Sequence, residues 1–284
     1  MKIRSSLGSG FVRALKSWKG VLLLWLVSVI LVSLLVIPFR GELRNALGSS
    51  MITGNLADGF DLLTFMELGQ TLKNMMASFS SDFLFVILIS FITNAFLSGG
   101  LFDSLRNGKV NFSTAEFFSA GSKNFWSFIS ISLVITLTTI ILSLIIIGIT
   151  AVIIASSGSF SEKSGFIYMS VSFLVILLLL PVFILAADYA RAWKVLNGKA
   201  TGFQALGFGF RLTFARFWSS YAMMLILIFC QLVFSALIFY LITVWKPVTE
   251  KEVLLLFIVT QLLVYARLLL KTWRYGSVTT FMEK

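Results

Sequence analysis

The chain has 284 residues, of which 58% are hydrophobic and only 12% are charged, and it carries a net charge of +11 without any histidine. This composition lies far outside the soluble globular range, and several apolar runs of membrane-spanning length predict a polytopic membrane protein. The lack of histidine excludes HExxH zinc sites and Ser-His-Asp triads, and no GxxxxGK[ST] phosphate loop occurs. No acidic residue is expected deep in any span. The sequence therefore predicts no enzyme, no cofactor and no metal site. One catalytic alternative stays open, a serine-lysine mechanism, although no Ser and Lys pair stands out at the outer membrane boundary.

Six predicted spans account for most of the chain. They cover residues 20–37, 83–102, 125–155, 166–187, 217–245 and 253–270. About 20 helical residues cross a hydrocarbon layer roughly 30 Å thick, so the longer third and fifth runs are expected to tilt or project beyond the lipid. The first run ends without a small-x-small cleavage site and is interpreted as a retained span. The prediction is an all-α membrane protein, a six-span helical bundle in which residues 1–284 form a single integral membrane domain.

Basic residues are distributed unevenly among the connections between these spans. If both termini are cytoplasmic, 17 of the 23 Lys and Arg residues lie inside and 6 lie outside. The positive-inside rule favours this orientation. The positive charge is accordingly interpreted as attraction to anionic lipid headgroups on the cytoplasmic face, not to nucleic acid.

The first connection, residues 38–82, is the longest segment predicted to lie outside the membrane. It is predicted to form one outer helical hairpin, with two short helices divided at Thr53-Gly54 and with Asp61 capping the second. Asp58 and Asp61 are interpreted as part of that cap, not as a catalytic pair. Two interpretations remain open: a lid resting on the membrane or the spans, and a contact surface for a protein partner or a substrate.

Basic and aromatic motifs recur around the spans. GFVRALKSWKG, AEFFSAGSKNFW and FGFRLTFARFW precede the odd spans, while LFDSLRNG, YARAWKVLNG and YARLLLKTWRYG follow the even ones. Each exit motif ends at a glycine, which is a usual helix stop: Gly108, Gly198 and Gly276. The motifs predict three pseudo-repeated hairpins of parallel orientation, joined by cytoplasmic amphipathic segments in the headgroup layer. Parallel repeats differ from the inverted repeats of many secondary transporters.

Two sets of side chains are candidate functional positions. Five basic residues are predicted to bind anionic headgroups, the alternative being plain membrane anchoring: Lys123, Arg191, Arg211, Arg216 and Arg267. Three amides lie inside spans, where polar groups are costly, and are interpreted as helix-to-helix contacts or as part of a polar pathway: Asn94, Gln231 and Gln261. Pro181 is expected to kink the fourth span and free the carbonyl of Leu177.

The hairpin repeat, the Phe-Trp entry and the exit motif YARAWKVLNG resemble a loose group of uncharacterised bacterial inner-membrane proteins. That group is similar in style to the membrane domain joined to some glycerophosphodiester phosphodiesterases. The resemblance implies six spans in a bacterial inner membrane and transfers no functional residue. The catalytic barrel of those phosphodiesterases has no counterpart in this sequence.

Two functions remain open from the sequence. One is a non-enzymatic accessory or scaffold subunit that interacts with lipid or a membrane partner. The alternative is a permease-like carrier of a lipidic or amphipathic molecule. The spans hold very few polar side chains, which favours the scaffold. The sequence indicates no oligomeric state.

Overall fold

A computed structural model describes residues 2–47, 69–106, 112–156, 162–247 and 249–283. These ranges contain eight helices and no strand, which confirms the all-α prediction for the described part of the chain. The helices are α1 Lys2–Lys16, α2 Trp18–Leu47, α3 Gly69–Ser104, α4 Thr114–Ser156, α5 Glu162–Leu196, α6 Gly202–Ala215, α7 Phe217–Val244 and α8 Glu250–Glu283.

Six of these helices are long and apolar enough to cross a membrane, as the sequence predicts. The qualifying segments are Trp18–Gly41, Phe83–Ser104, Thr114–Ser156, Lys163–Leu196, Phe217–Val244 and Glu250–Glu283. Each overlaps one predicted span. Many large apolar side chains along them are exposed on the protein, which suits a hydrocarbon surrounding better than water.

Several predicted boundaries differ from the observed ones. The entry segment before the third span is continuous with it, because α4 already begins at Thr114. Residues 38–47 continue α2 through Pro38, and α3 is already helical from Gly69, so the described ends of the outer segment extend the spans. Thr53-Gly54, Asp58, Asp61 and Gly108 lie outside the described residues.

The prediction that Gly276 stops a helix is wrong, whereas Gly198 does follow the end of α5 at Leu196. α8 continues past Gly276 to Glu283, and this glycine lies against the backbone of α1. A Cβ on Gly276 would lie 2.6 Å from the carbonyl oxygen of Gly10, far inside van der Waals contact. The missing side chain therefore permits close helix packing and does not end the helix.

The chain divides into two compact units, residues 23–94 and residues 1–22 with 95–284. The larger unit holds two clusters of buried side chains. One joins α5, α7 and α8: Leu185, Tyr189, Met223, Met224, Leu227, Val278 and Phe281. The other joins α4, α5 and α6: Ile131, Ile135, Ala187, Ala190, Ala205 and Leu206. The buried residues of α7 lie in its N-terminal half, and those of α8 lie in its C-terminal third. These parts of the two helices therefore contribute to the protein core.

Close helix crossings share a short sequence motif. Leu-Gly-x-Gly occurs at Leu7–Gly10 in α1 and at Leu206–Gly209 in α6. In both copies the first glycine faces open space, while the second lies against a neighbouring helix backbone. A Cβ on Gly10 would overlap Ser277 of α8, and a Cβ on Gly209 would overlap the carbonyl oxygen of Ala186 of α5. Small residues at such positions let membrane helices approach closely.

Pro181 lies inside the continuous helix α5, and a side chain of α7 contacts the backbone beside it. The hydroxyl of Tyr221 donates a hydrogen bond of 2.9 Å to the carbonyl oxygen of Leu178. Pro181 has no N–H to donate to the carbonyl of Leu177, four residues earlier. The carbonyl that Tyr221 contacts is therefore the one next to the carbonyl expected to be free. Neighbouring helices commonly satisfy backbone groups that a proline frees within a membrane.

Candidate functional site

A groove of about 400 Å³ lies between α7 and α8 in the larger unit. Its lining residues are Ile228, Gln231, Leu232 and Ser235 from α7, with Val264, Arg267, Leu268, Lys271 and Arg274 from α8. The structure thus brings together Gln231 and Arg267, which the sequence singles out for separate reasons. The groove combines polar and apolar walls.

Helical periodicity explains how these residues come to share the groove. Arg267, Lys271 and Arg274 are spaced by four and then three residues, which places them on one side of α8. Gln231 and Ser235 are four residues apart on α7 and share a side in the same way. Apolar neighbours lie on the same walls, so the groove offers hydrogen-bond donors and cations beside hydrocarbon.

The three cations of the groove have different surroundings. Arg267 is exposed, and within the described part of the chain it makes no ion pair or hydrogen bond. The ammonium of Lys271 lies 5.9 Å from the ring centroid of Tyr275, and the guanidinium of Arg274 lies 5.1 Å from the same ring. Cations over an aromatic face are stabilised by its electron density. Arg267 is therefore the cation most open to an external anion.

Arg274 also belongs to a buried ion network behind the groove. Its Nε lies 2.9 Å from Oδ2 of Asp188, whose side chain is fully buried. Arg191 donates from Nη1 to Oδ1 of Asp188 at 3.2 Å and from Nη2 to Oγ of Ser132 at 2.9 Å. The network joins α4, α5 and α8 around one carboxylate. Its position links the groove wall to the packed core.

The sequence does not predict that Asp188, the residue after the fourth predicted span, is buried in the protein. This residue is fully buried within the apolar segment Lys163–Leu196. The sequence gives Arg191 as a neighbour three positions away, but it does not reveal Arg274, which is distant in sequence. Because Asp188 is within ion-pair distance of both arginines, its charge is compensated.

The other candidate residues lie away from the groove. Lys123 and Arg211 are exposed on α4 and α6, and Arg216, at the break between α6 and α7, places its guanidinium 5.8 Å from the ring centroid of Phe281. Asn94 is exposed in the 23–94 unit, and Gln261 is half-buried on α8 outside the groove lining. Arg191 lies in the ion network, where it contacts protein groups.

No family model, curated protein or solved structure matches this chain. The resemblance to bacterial inner-membrane proteins therefore rests on the sequence motifs alone. Among the described residues, no group of three or more Cys, Asp and Glu is placed to hold a metal ion. What the site offers is a set of cations and hydrogen-bond donors beside an apolar wall.

Three polar site residues are not singled out from the sequence: Lys271, Arg274 and Ser235. The spacing of Arg267, Lys271 and Arg274 is a readable signal once the helix is known to continue beyond residue 270. The sixth predicted span ends at residue 270 and its exit motif ends at Gly276, which hides that signal.

Proposed function

We propose that this protein is a non-enzymatic, multi-pass protein of a bacterial inner membrane that binds anionic lipid, and that it acts as an accessory or scaffold subunit. The observation that carries this proposal is the groove between α7 and α8, where Arg267, Lys271 and Arg274 lie beside apolar side chains. A lipid has the same division into an anionic headgroup and hydrocarbon chains. The groove therefore complements an anionic lipid in both charge and polarity.

The electrostatics of the groove support an anion as its ligand. Each basic residue near a membrane surface contributes about 1 kcal/mol to the attraction of anionic lipid. The planar guanidinium of Arg267 can bind two phosphate oxygens at once, a geometry that an ammonium cannot match. Exposed Lys123, Arg211 and Arg216 are proposed as weaker headgroup contacts, since they lie outside the groove between α7 and α8.

Lipid binding is expected to depend on the groove more than on overall charge. Arg267→Gln combined with Lys271→Gln should weaken binding of phosphatidylglycerol about 30-fold, from roughly 1 kcal/mol for each cation. Binding is measured by native mass spectrometry of the purified chain titrated with defined lipids. Arg4→Gln with Lys16→Gln removes the same charge from exposed positions outside the groove. If both double variants lose the same lipid affinity, the groove cations contribute only nonspecific electrostatic attraction.

We propose that both termini and the basic end of α8 lie on the cytoplasmic side. In a Cys230→Ser background, an impermeant maleimide is expected to label Lys251→Cys in intact cells. Lys199→Cys, in the exposed turn after α5, should react only after permeabilisation. Labelling of Lys199→Cys in intact cells would show the opposite orientation, with the groove cations facing away from the cytoplasm.

A permease-like carrier of a lipidic molecule is the second candidate function. Arg267 and Arg274 are seven residues apart, so the polar wall of the groove extends about 10 Å along the helix axis. A carrier needs such an extended polar surface, and this observation favours it. A scaffold is expected to leave the transbilayer movement of a fluorescent phosphatidylglycerol in liposomes at the protein-free rate. Acceleration that Arg267→Gln abolishes would establish the carrier instead.

A further inference from the structure

Two polar side chains of the groove have no partner inside the described protein. Gln231 and Ser235 are half-buried on α7, and neither takes part in a hydrogen bond with the described residues. Most serines and threonines with hydrogen bonds in the spanning helices donate to a carbonyl one turn earlier, as Thr139 does to Ile135 at 2.7 Å. A polar group in a span is costly without a partner. The unused donors of Gln231 and Ser235 therefore point to a ligand acceptor.

The position of these donors relative to the cations follows from helix geometry. α7 and α8 are consecutive, pack against each other and are joined by a short connection after Val244. Gln231 lies 13 residues before the end of α7, which is about 20 Å along the axis. Arg267 lies 17 residues after the start of α8, which is about 26 Å along the axis. Gln231 and Ser235 thus lie nearer the connection than the cations do.

This order matches the order of polar groups in a glycerophospholipid. If Arg267 holds the phosphate near the cytoplasmic surface, Gln231 lies about 6 Å deeper in the membrane and Ser235 about 12 Å deeper. In a diacyl lipid the groups one glycerol unit deeper than the phosphate are the two acyl ester carbonyls. These are acceptors without hydrogens to donate, and they complement the amide N–H of Gln231.

We infer that the groove recognises the glycerol ester region of an anionic phospholipid as well as its phosphate. Arg267, with Lys271 beside it, binds the phosphate, while Gln231 donates a hydrogen bond to an ester carbonyl. The inference rests on the proposed function, because it requires an anionic lipid in the groove. It adds a specificity that charge cannot supply, the distinction of ester-linked from ether-linked chains.

The experiment compares two phosphatidylglycerols of equal chain length, one with ester and one with ether linkages. Each is titrated into the purified full chain and measured by native mass spectrometry, with phosphatidylcholine as the zwitterionic reference. The wild-type protein is expected to bind the ester lipid about fivefold more tightly, the effect of about one net hydrogen bond. Gln231→Leu should remove this difference by weakening the ester lipid alone. Arg267→Gln should weaken both anionic lipids alike.

Gln261→Leu provides the matched control, because Gln261 is also half-buried on the same helix pair but does not line the groove. It should keep the ester preference, and a thermal melt of each variant checks that it folds. Equal binding of ester and ether lipids by the wild type, with the anionic preference intact, would overturn this inference alone. Equal binding of anionic and zwitterionic lipids would overturn the proposed function and this inference together.

Discussion

Asp188→Asn is expected to destabilise the protein by about 3–5 kcal/mol, because it leaves two arginines in the core without their shared counter-charge. The carboxylate is fully buried, and the side chains of Arg191 and Arg274 are each only 12% exposed. Water can therefore do little to solvate the two cations once Asp188 is neutral. The reverse loss, of one arginine, leaves one pair intact and should cost less.

The measurement is thermal unfolding of the purified protein in detergent, followed by tryptophan fluorescence. A fall in Tm of about 10 °C is expected for Asp188→Asn. Glu283→Gln is the matched control, because it removes a carboxylate from the 2.7 Å pair with Arg13, where both side chains are 19% exposed. That change should cost about 1 kcal/mol or less.

A rescue variant separates lost charge compensation from lost packing. Asp188→Leu together with Arg191→Met and Arg274→Met removes all three charges and keeps apolar volume in the core. Replacing a buried ion network by apolar residues is often neutral or stabilising, so the triple variant should recover most of the stability. If it is no more stable than Asp188→Asn, the carboxylate acts through its shape and not its charge.

The ion network around Asp188 is also a part of the site that the sequence could not predict. The spans follow from composition alone, because long apolar runs have few alternatives to membrane helices. Arg267 and Gln231 stand out in the sequence as polar groups near or within spans. Their meeting in one groove depends on the rotation of α7 and α8 about their axes. That rotation is set by packing against the rest of the core, which local sequence does not encode.

Helix ends illustrate the same limit. Gly198 and Gly276 both follow basic residues in similar exit motifs, yet one follows a helix end and the other lies within α8. The difference is the neighbour: Gly276 lies against Gly10 of α1, a residue at the other end of the chain. The Tyr-Ala-Arg copies diverge too, since the hydroxyl of Tyr189 pairs with Ser220 and that of Tyr265 donates to the carbonyl of Trp18.

The paired glycines of α1 and α6 provide a test of the pseudo-repeat with an internal control in each copy. Gly209→Ala is expected to destabilise the protein by about 1–3 kcal/mol, because its Cβ would overlap the carbonyl oxygen of Ala186 and lie 3.1 Å from the Cβ of Ala190. Gly207→Ala on the same helix meets open space. It should stabilise the protein by about 0.4–1 kcal/mol through lower backbone entropy in the unfolded chain.

The same contrast is expected between Gly10→Ala and Gly8→Ala in α1, since Gly10 lies against Ser277 and Gly8 has open space around it. Thermal unfolding of the four single variants measures both differences under one set of conditions. If both pairs of variants show the same difference in stability, α1 packs on α8 through a glycine contact of the same kind as that between α6 and α5. That is the relation expected if successive hairpins of this chain descend from one repeated unit. If the α6 variants differ in stability and the α1 variants do not, the shared Leu-Gly-x-Gly motif is a coincidence of sequence.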